Sequence, residues 1–297
     1  MKQVQDLGYK SEARRGLLFV FMAGVLWSTV GLGIRMIDEA TVWQILLYRS
    51  ISLSLFLAIV IYLRSSENLF TVVRAAGLPA CIAGLALVGA YAGGIYGIQS
   101  TSVANAMLLF ASAPFMAAIL GWIFLREKVR KATWISILFA MLGIGIMVQD
   151  KSTGSALLGN LAALGSAFGF AVFTVALRWG RSGEMLPAVF LSGIFAIFIT
   201  SSICLLSGLS FQISVNDTSI SMGMGVFQVG AGLVLYTLGS KTLPAAELTL
   251  LSLAEVLLGP LWVYLFLNEV ATFNTLFGGL VLLLAIAGNA ISGARRK

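Results

Sequence analysis

Charge divides this sequence. Clusters of Lys, Arg, Asp, Glu, Ser and Asn cut it into ten apolar stretches, over residues 16 to 36, 41 to 63, 75 to 98, 102 to 125, 132 to 149, 156 to 178, 187 to 207, 219 to 241, 245 to 267 and 273 to 293. A helix needs roughly 20 mostly apolar residues to cross the ~30 Å hydrocarbon core of a bilayer, and each stretch is close to that length. The expected fold is therefore an all-α integral membrane protein of ten transmembrane helices. Only 10% of residues are charged, against about 25% in a soluble domain, too few to coat a water-facing surface. Histidine is absent, which removes the commonest metal ligand and the usual general base near neutrality. Cys81 and Cys204 each lie within an apolar stretch and read as small buried side chains. No metal site, no cofactor and no enzymatic centre is expected.

Short cytoplasmic loops collect Lys and Arg. With the N-terminus inside, 16 of the 19 basic residues fall in cytoplasmic segments and 2, Arg35 and Lys151, fall outside, leaving Arg49 within a span. Both termini are expected in the cytoplasm. The net charge of +7 then reflects attraction to anionic lipid headgroups, and no nucleic-acid partner is implied. The first span continues through Arg35 with no small-residue cleavage site, so it reads as a retained helix.

The two halves resemble each other. Ile123-Phe124-Leu125-Arg126-Glu127 matches Leu265-Phe266-Leu267-Asn268-Glu269, and at nearly the same offset Gly16 falls on Gly159, Trp27-Ser28 on Phe170-Ala171, and Arg35 on Arg178. Tyr96 falls on Tyr236 with two residues inserted. Five spans is an odd number, so two such repeats must enter the membrane in opposite orientations. The expected organisation is a cytoplasmic segment 1–15, a five-helix repeat 16–150, its inverted copy 151–293 and a basic cytoplasmic tail 294–297. The loop after Glu127 is Lys128-Val129-Arg130-Lys131, whereas that after Glu269 carries no basic residue, as inversion requires.

These residues carry a resemblance. Two five-helix repeats, Trp27-Ser28 in the first span, Arg49 in the second, Pro114 in the fourth, and Leu-x-Glu at Leu125 to Glu127 and Leu267 to Glu269 resemble the EamA-type branch of the drug/metabolite transporter superfamily. Within it the chain is most similar to the YddG-type amino-acid exporters. The family's Glu-Pro in the ninth span is here Glu255-Val256, with Pro260 one turn on. The resemblance implies alternating-access export of small metabolites across a bacterial inner membrane by a monomer or homodimer, with membrane lipid as the other partner.

Pro79, Pro187 and Pro244 open spans, where a missing N–H costs little. Pro114 and Pro260 lie within the repeat-equivalent fourth and ninth spans, freeing the carbonyls of Phe110 and Val256; a conformational hinge and a static kink both fit. Gly89, Gly93 and Gly97, and Gly225, Gly232 and Gly239, are spaced to line single helix faces for close packing or sliding. Arg49 and Glu255 fall near mid-depth, where an ionisable group is expensive and a functional candidate by default; they could pair with each other. Glu247 suits a helix N-terminus. Glu127 and Glu269 sit at interface level. Trp43, Trp134 and Trp179 read as interfacial anchors.

The deeper aromatics Trp27, Tyr91, Tyr96, Phe110, Phe168, Phe170 and Tyr236, with Glu255, are the candidate substrate-binding residues. The resemblance places their spans around a central cavity, and as a set they suit neutral or zwitterionic solutes with apolar or aromatic side chains. Amino acids are the leading substrate class. A carrier for cationic drugs, coupled to protons, is the alternative, and a non-transport membrane bundle fits less well. A phosphorylated substrate would favour several basic residues at depth, and only Arg49 is available. Glu255 is the single credible proton site; a pairing with Arg49 would keep it ionised, so the sequence leans towards movement of substrate down its own gradient.

Overall fold

The structure is a computed structural model describing residues 2–64, 69–148, 154–180, 185–240, 243 and 245–294. Pro244, Lys151, Arg181, Lys241 and residues 295–297, and the side chain of Glu247, lie outside the described residues. Those described form helices joined by short loops, without a strand. Among the described residues, nine helical segments are long and apolar enough to cross a membrane: Arg14–Arg35, Val42–Arg64, Arg74–Ser100, Val103–Leu125, Lys131–Val148, Ala156–Trp179, Leu186–Leu206, Val215–Ser240 and Phe273–Gly293. The ninth span in chain order, helix Ala245–Leu267, has 23 residues, enough at about 1.5 Å each to cross as well. Large apolar side chains such as Leu55, Leu138, Leu161, Phe198 and Leu284 remain exposed on the outer faces of the bundle. They suit contact with lipid, which is as apolar as they are.

Several spans are less regular than the apolar runs imply. The first helix begins at Lys2, well before the predicted start at 16, and is interrupted at Thr29 before a short helix Val30–Arg35. The third span is broken at Gly77, whose φ of 65° is left-handed; glycine adopts that region without the steric cost of a Cβ. Pro79 then opens the membrane-crossing part, as expected. Pro187 likewise lies in the first turn of the seventh span.

The fourth span is two helices, Val103–Phe110 and Ala113–Leu125, separated at Ala111 and Ser112. Pro114 is therefore in the first turn of the second piece, where its missing N–H has no helical partner to lose. This corrects the expectation that it interrupts a continuous helix. Pro260, its repeat counterpart, does lie inside an unbroken helix. The eighth span also differs from expectation, because residues Met224–Ala231 wind as a π-helix between Val215–Gly223 and Gly232–Ser240.

Small residues set the helix contacts. A Cβ on Gly143 would stand 2.5 Å from the Gly278 carbonyl, and one on Gly278 would stand 2.5 Å from that of Gly143. The fifth and tenth spans therefore cross backbone to backbone. Gly93 and Gly97 press on Ala162, Ser166 and Gly159 of the sixth span, whereas Gly89 has nothing within 4 Å, so the third-span stripe is shorter than its spacing implies. The eighth-span stripe is divided: Gly225 faces Arg49 and Ser52 of the second span, while Gly232 and Gly239 face Trp27 and Gly16 of the first. The helix pairs come in matched sets. The third packs on the sixth as the eighth packs on the first, and the fourth on the sixth as the ninth on the first, while the second meets the seventh and the fifth meets the tenth.

Candidate functional site

Both ends of the bundle are fastened by residues that the internal repeat puts in register. The fourth span ends with Arg126 at φ 54° and the ninth with Asn268 at φ 55°, each in the left-handed region. In each case the next residue, Glu127 or Glu269, donates its N–H six residues back, to Gly121 or Val263, at 3.2 Å. The reach is one residue wider than the five-residue Schellman closure, and the left-handed residue ends the helix in the same way. The middle residue of each Leu-x-Glu is thus a helix terminator, and the turn aims the glutamate at the other half of the molecule.

Glu269 meets Arg35 and Glu127 meets Arg178. Arg35 Nε donates to Glu269 Oε2 at 2.8 Å and Nη2 to Oε1 at 3.3 Å. The same Nη2 donates to the Thr101 carbonyl at 2.7 Å, and the Val103 N–H donates to Glu269 Oε1 at 2.7 Å. At the other pair, Arg178 Nη1 donates to Glu127 Oε2 at 2.6 Å and Nη2 to the Ala117 carbonyl at 3.1 Å. The first pair is the more enclosed, its side chains 27% and 22% exposed against 40% and 39%. Three crossings separate the end of the first span from that of the fourth, so the two pairs lie at opposite ends of the bundle.

The end holding Arg35 carries a second fastening. Asp217, fully buried, accepts the N–H groups of Asp38 at 3.0 Å, Glu39 at 3.2 Å and Ala40 at 3.0 Å. It ties the loop after the first span to the start of the eighth. Gln44 Nε2 donates to the Ser210 carbonyl at 2.7 Å, and Tyr48 Oη to that of Phe211 at 2.6 Å.

Deeper in, the structure gathers some of the predicted residues and separates others. Trp27 and Tyr236 meet as a tilted pair with ring centroids 5.2 Å apart, and Gly232 admits the Trp27 indole. At the next residue, the Trp262 indole N–H donates to Ser28 Oγ at 2.8 Å, binding the first span to the ninth one turn from the contact of Gly24 with the Glu255 backbone. Tyr91 lies against Arg49, whose guanidinium carbon is 4.4 Å from the ring centroid. Phe110 reaches Gly94 beside Ser166. Tyr96, Phe168 and Phe170 are instead exposed; Phe168 continues the stripe of Leu158 and Leu161, and Phe170 touches Phe173.

Arg49 and Glu255 do not pair: the ion pairs among the described residues are those of Arg35 and Arg178. Asn105, Asn160 and Thr275 form a buried polar knot of the fourth, sixth and tenth spans, with Asn105 Nδ2 donating to Asn160 Oδ1 and Thr275 Oγ1 donating to Asn105 Oδ1 at 3.5 Å. Two open clefts of about 450 and 430 Å³ lie between the fourth and fifth and between the fifth and tenth spans. The first is bordered by Trp122, Glu127 and Trp134; neither touches Trp27, Arg49 or Glu255.

Asp217, Gln44, Asn105 and Trp262 were not among the sequence candidates. Ser214-Val215-Asn216-Asp217 has the spacing of a capping box, and Ser214 Oγ does accept the Asp217 N–H at 3.0 Å. That signal locates a helix start without saying which loop the carboxylate will bind.

Two copies of one family model cover the chain, at residues 14–149 and 157–291, and that model is the EamA-like transporter family. The chain belongs to this family. The EamA-like repeats meet at the same boundary that separates Arg35 and Glu127 from their counterparts. Curated relatives include the transporter YwfM of Bacillus subtilis, 27% identical over 208 residues that make up 67% of this chain and 68% of that one. Protein RarD of Escherichia coli is 25% identical over 198 residues, 63% of this chain and 64% of its own. Human solute carrier family 35 member G1 is 21% identical over 299 residues, 93% of this chain and 79% of its own. A solved crystal structure shares the fold with a TM-score of 0.66 at 18% identity, covering 95% of this chain and 99% of the other. The EamA-like chain is thus a multi-pass membrane transporter, with small molecules as substrate and lipid as its surroundings.

Proposed function

We propose that this EamA-like protein exports small metabolites across the bacterial cytoplasmic membrane by alternating access, and that its substrates are amino acids with apolar or aromatic side chains. The observation that carries the reading is the company kept by the one basic residue at mid-depth. Arg49 is accompanied by the Tyr91 ring, with no second cation beside it among the described residues, which suits a singly charged carboxylate-bearing solute better than a phosphorylated one. The Trp27 and Tyr236 rings offer apolar faces of the kind such side chains fill.

The crossed ion pairs support inversion of the two repeats: equivalent residues exchange partners between halves, one pair at each end of the bundle. Alternating access then consists of opening one pair while the other stays made. Both termini lie in the cytoplasm in this reading, on the 16-against-2 distribution of Lys and Arg. The unit that transports is a monomer or homodimer.

A second reading, a proton-coupled carrier of organic cations, draws on Glu255. Its carboxylate has no ion-pair partner among the described residues, so the pairing that would have held it ionised is missing, and an unpaired acid at mid-depth is what proton relays use. Flux in proteoliposomes decides. Labelled Phe, Met or Thr equilibrates faster than in empty vesicles if the first reading holds; movement of an organic cation with none of a broad amino-acid panel establishes the second.

A further inference from the structure

We infer that Arg49 is the site that recognises the carboxylate of the transported solute. The inference rests on the export reading above and names the group by which the substrate is held.

Arg49 is 4% exposed, and its Nε is buried without a hydrogen-bond partner. Its partner among the described residues is the face of Tyr91, and no carboxylate lies within ion-pairing distance. A buried guanidinium left without a counter-charge is strongly destabilising, and its five donors form a planar fork that matches a carboxylate in two-point contact. Tyr91 offsets part of the cost by a cation–π contact and a side-chain hydrogen bond, leaving Nε to an incoming anion.

The neighbourhood points the same way. The Arg49 turn is pressed against the π-wound part of the eighth span, where Gly225 leaves no room for a Cβ beside the Arg49 carbonyl. Three residues on, Gln228 Oε1 is a second buried atom without a partner, and it is an acceptor. An anion-seeking fork and an orphan acceptor on adjoining helices suit the carboxylate and the ammonium of one α-amino acid. π-helical turns concentrate at functional sites, and this one lies against Arg49.

Competition on the unaltered protein tests this first. In proteoliposomes, 3-phenylpropionate, which has the carboxylate alone, should inhibit labelled Phe flux, and phenethylamine, which has the ammonium alone, should inhibit at least 10-fold less well, on the order expected for loss of a charge-assisted hydrogen bond. Arg49→Gln should lower Phe flux by about 10- to 100-fold and abolish the advantage of 3-phenylpropionate as inhibitor, and Arg49→Lys should restore part of it. Equal or better inhibition by phenethylamine in the unaltered protein overturns the inference, whether or not Arg49→Gln folds. So does a folded Arg49→Gln that keeps the preference for the carboxylate. If the unaltered protein moves no amino acid at all, the export reading fails instead, and the two failures are distinct.

Discussion

Neutralising Glu269 should open the end of the molecule that Arg35 closes. Its carboxylate accepts three hydrogen bonds, two from Arg35 at 2.8 and 3.3 Å and one from the Val103 N–H at 2.7 Å. Gln has the same shape but only one oxygen and no charge, so Glu269→Gln keeps at most part of the set and turns an amide N–H₂ towards a donor. A hydrogen bond to a charged group contributes about 1.5–3 kcal/mol. The pair is about a quarter exposed, which screens it, so we take a total loss of about 2 kcal/mol. That corresponds to a shift of roughly 30-fold towards the state open at this end.

Ala106 lies one turn below Val103 and is fully buried. A cysteine there, in a protein with Cys81 and Cys204 replaced, reports the opening by its reaction with a membrane-impermeant maleimide added from outside. The labelling rate should rise about 30-fold in Glu269→Gln, and Glu127→Gln, at the opposite end, should leave it unchanged or slower. An unchanged rate in a well-folded Glu269→Gln would falsify the role of this pair as a closure, reducing it to an incidental contact between loop ends.

Three further outcomes follow from the same geometry. A C-terminal reporter should be active only on the cytoplasmic side; activity outside the membrane removes the orientation and the inversion with it. Pro260→Ala restores the N–H that can bond the Val256 carbonyl and should slow transport at normal expression and unimpaired stability, whereas Pro114→Ala, in a first helical turn, should change the rate little; equal rates for Pro260→Ala and the parent leave that proline a static feature. In Glu255→Gln, flux down the substrate gradient should persist, and an imposed pH gradient should drive no uphill movement in either protein. Gradient-driven accumulation in the parent that is absent from the variant makes Glu255 the coupling residue.

What the sequence made legible was whatever depends on neighbours along the chain. Apolar run length located the spans, and Pro79 and Pro187 marked helix starts because a missing N–H is cheap only there. The repeat aligned Arg35 with Arg178 and Glu127 with Glu269, yet the exchange of partners between halves was invisible, since alignment compares positions and says nothing of contacts. Asp217 was overlooked for the same reason: its three donors lie in a loop some 180 residues earlier in the chain. The break at Ala111 and Ser112 was hidden by uniform apolarity, because Pro114 fits the first turn of a new helix as readily as a kink in an old one. Tyr96, Phe168 and Phe170 show the limit of depth as a criterion, for a residue's distance along a span does not say which way it faces.

The π-wound turns of the eighth span also set a phase. Each residue of an α-helix advances about 100° around its axis, and a π segment absorbs one residue more than the α-helix would hold. Everything beyond Ala231 is therefore rotated by one residue's worth relative to what precedes Met224, and it is this offset that turns Gly225 to the second span but Gly232, Tyr236 and Gly239 to the first. Winding residues 224–231 as a regular α-helix with no residue removed would turn Tyr236 by about 100°, away from Trp27. The span behaves as a two-digit combination whose second digit is set by one inserted residue, so one residue added or lost outside the π turns, too small a change to affect membrane crossing, would be enough to undo the contact between the halves.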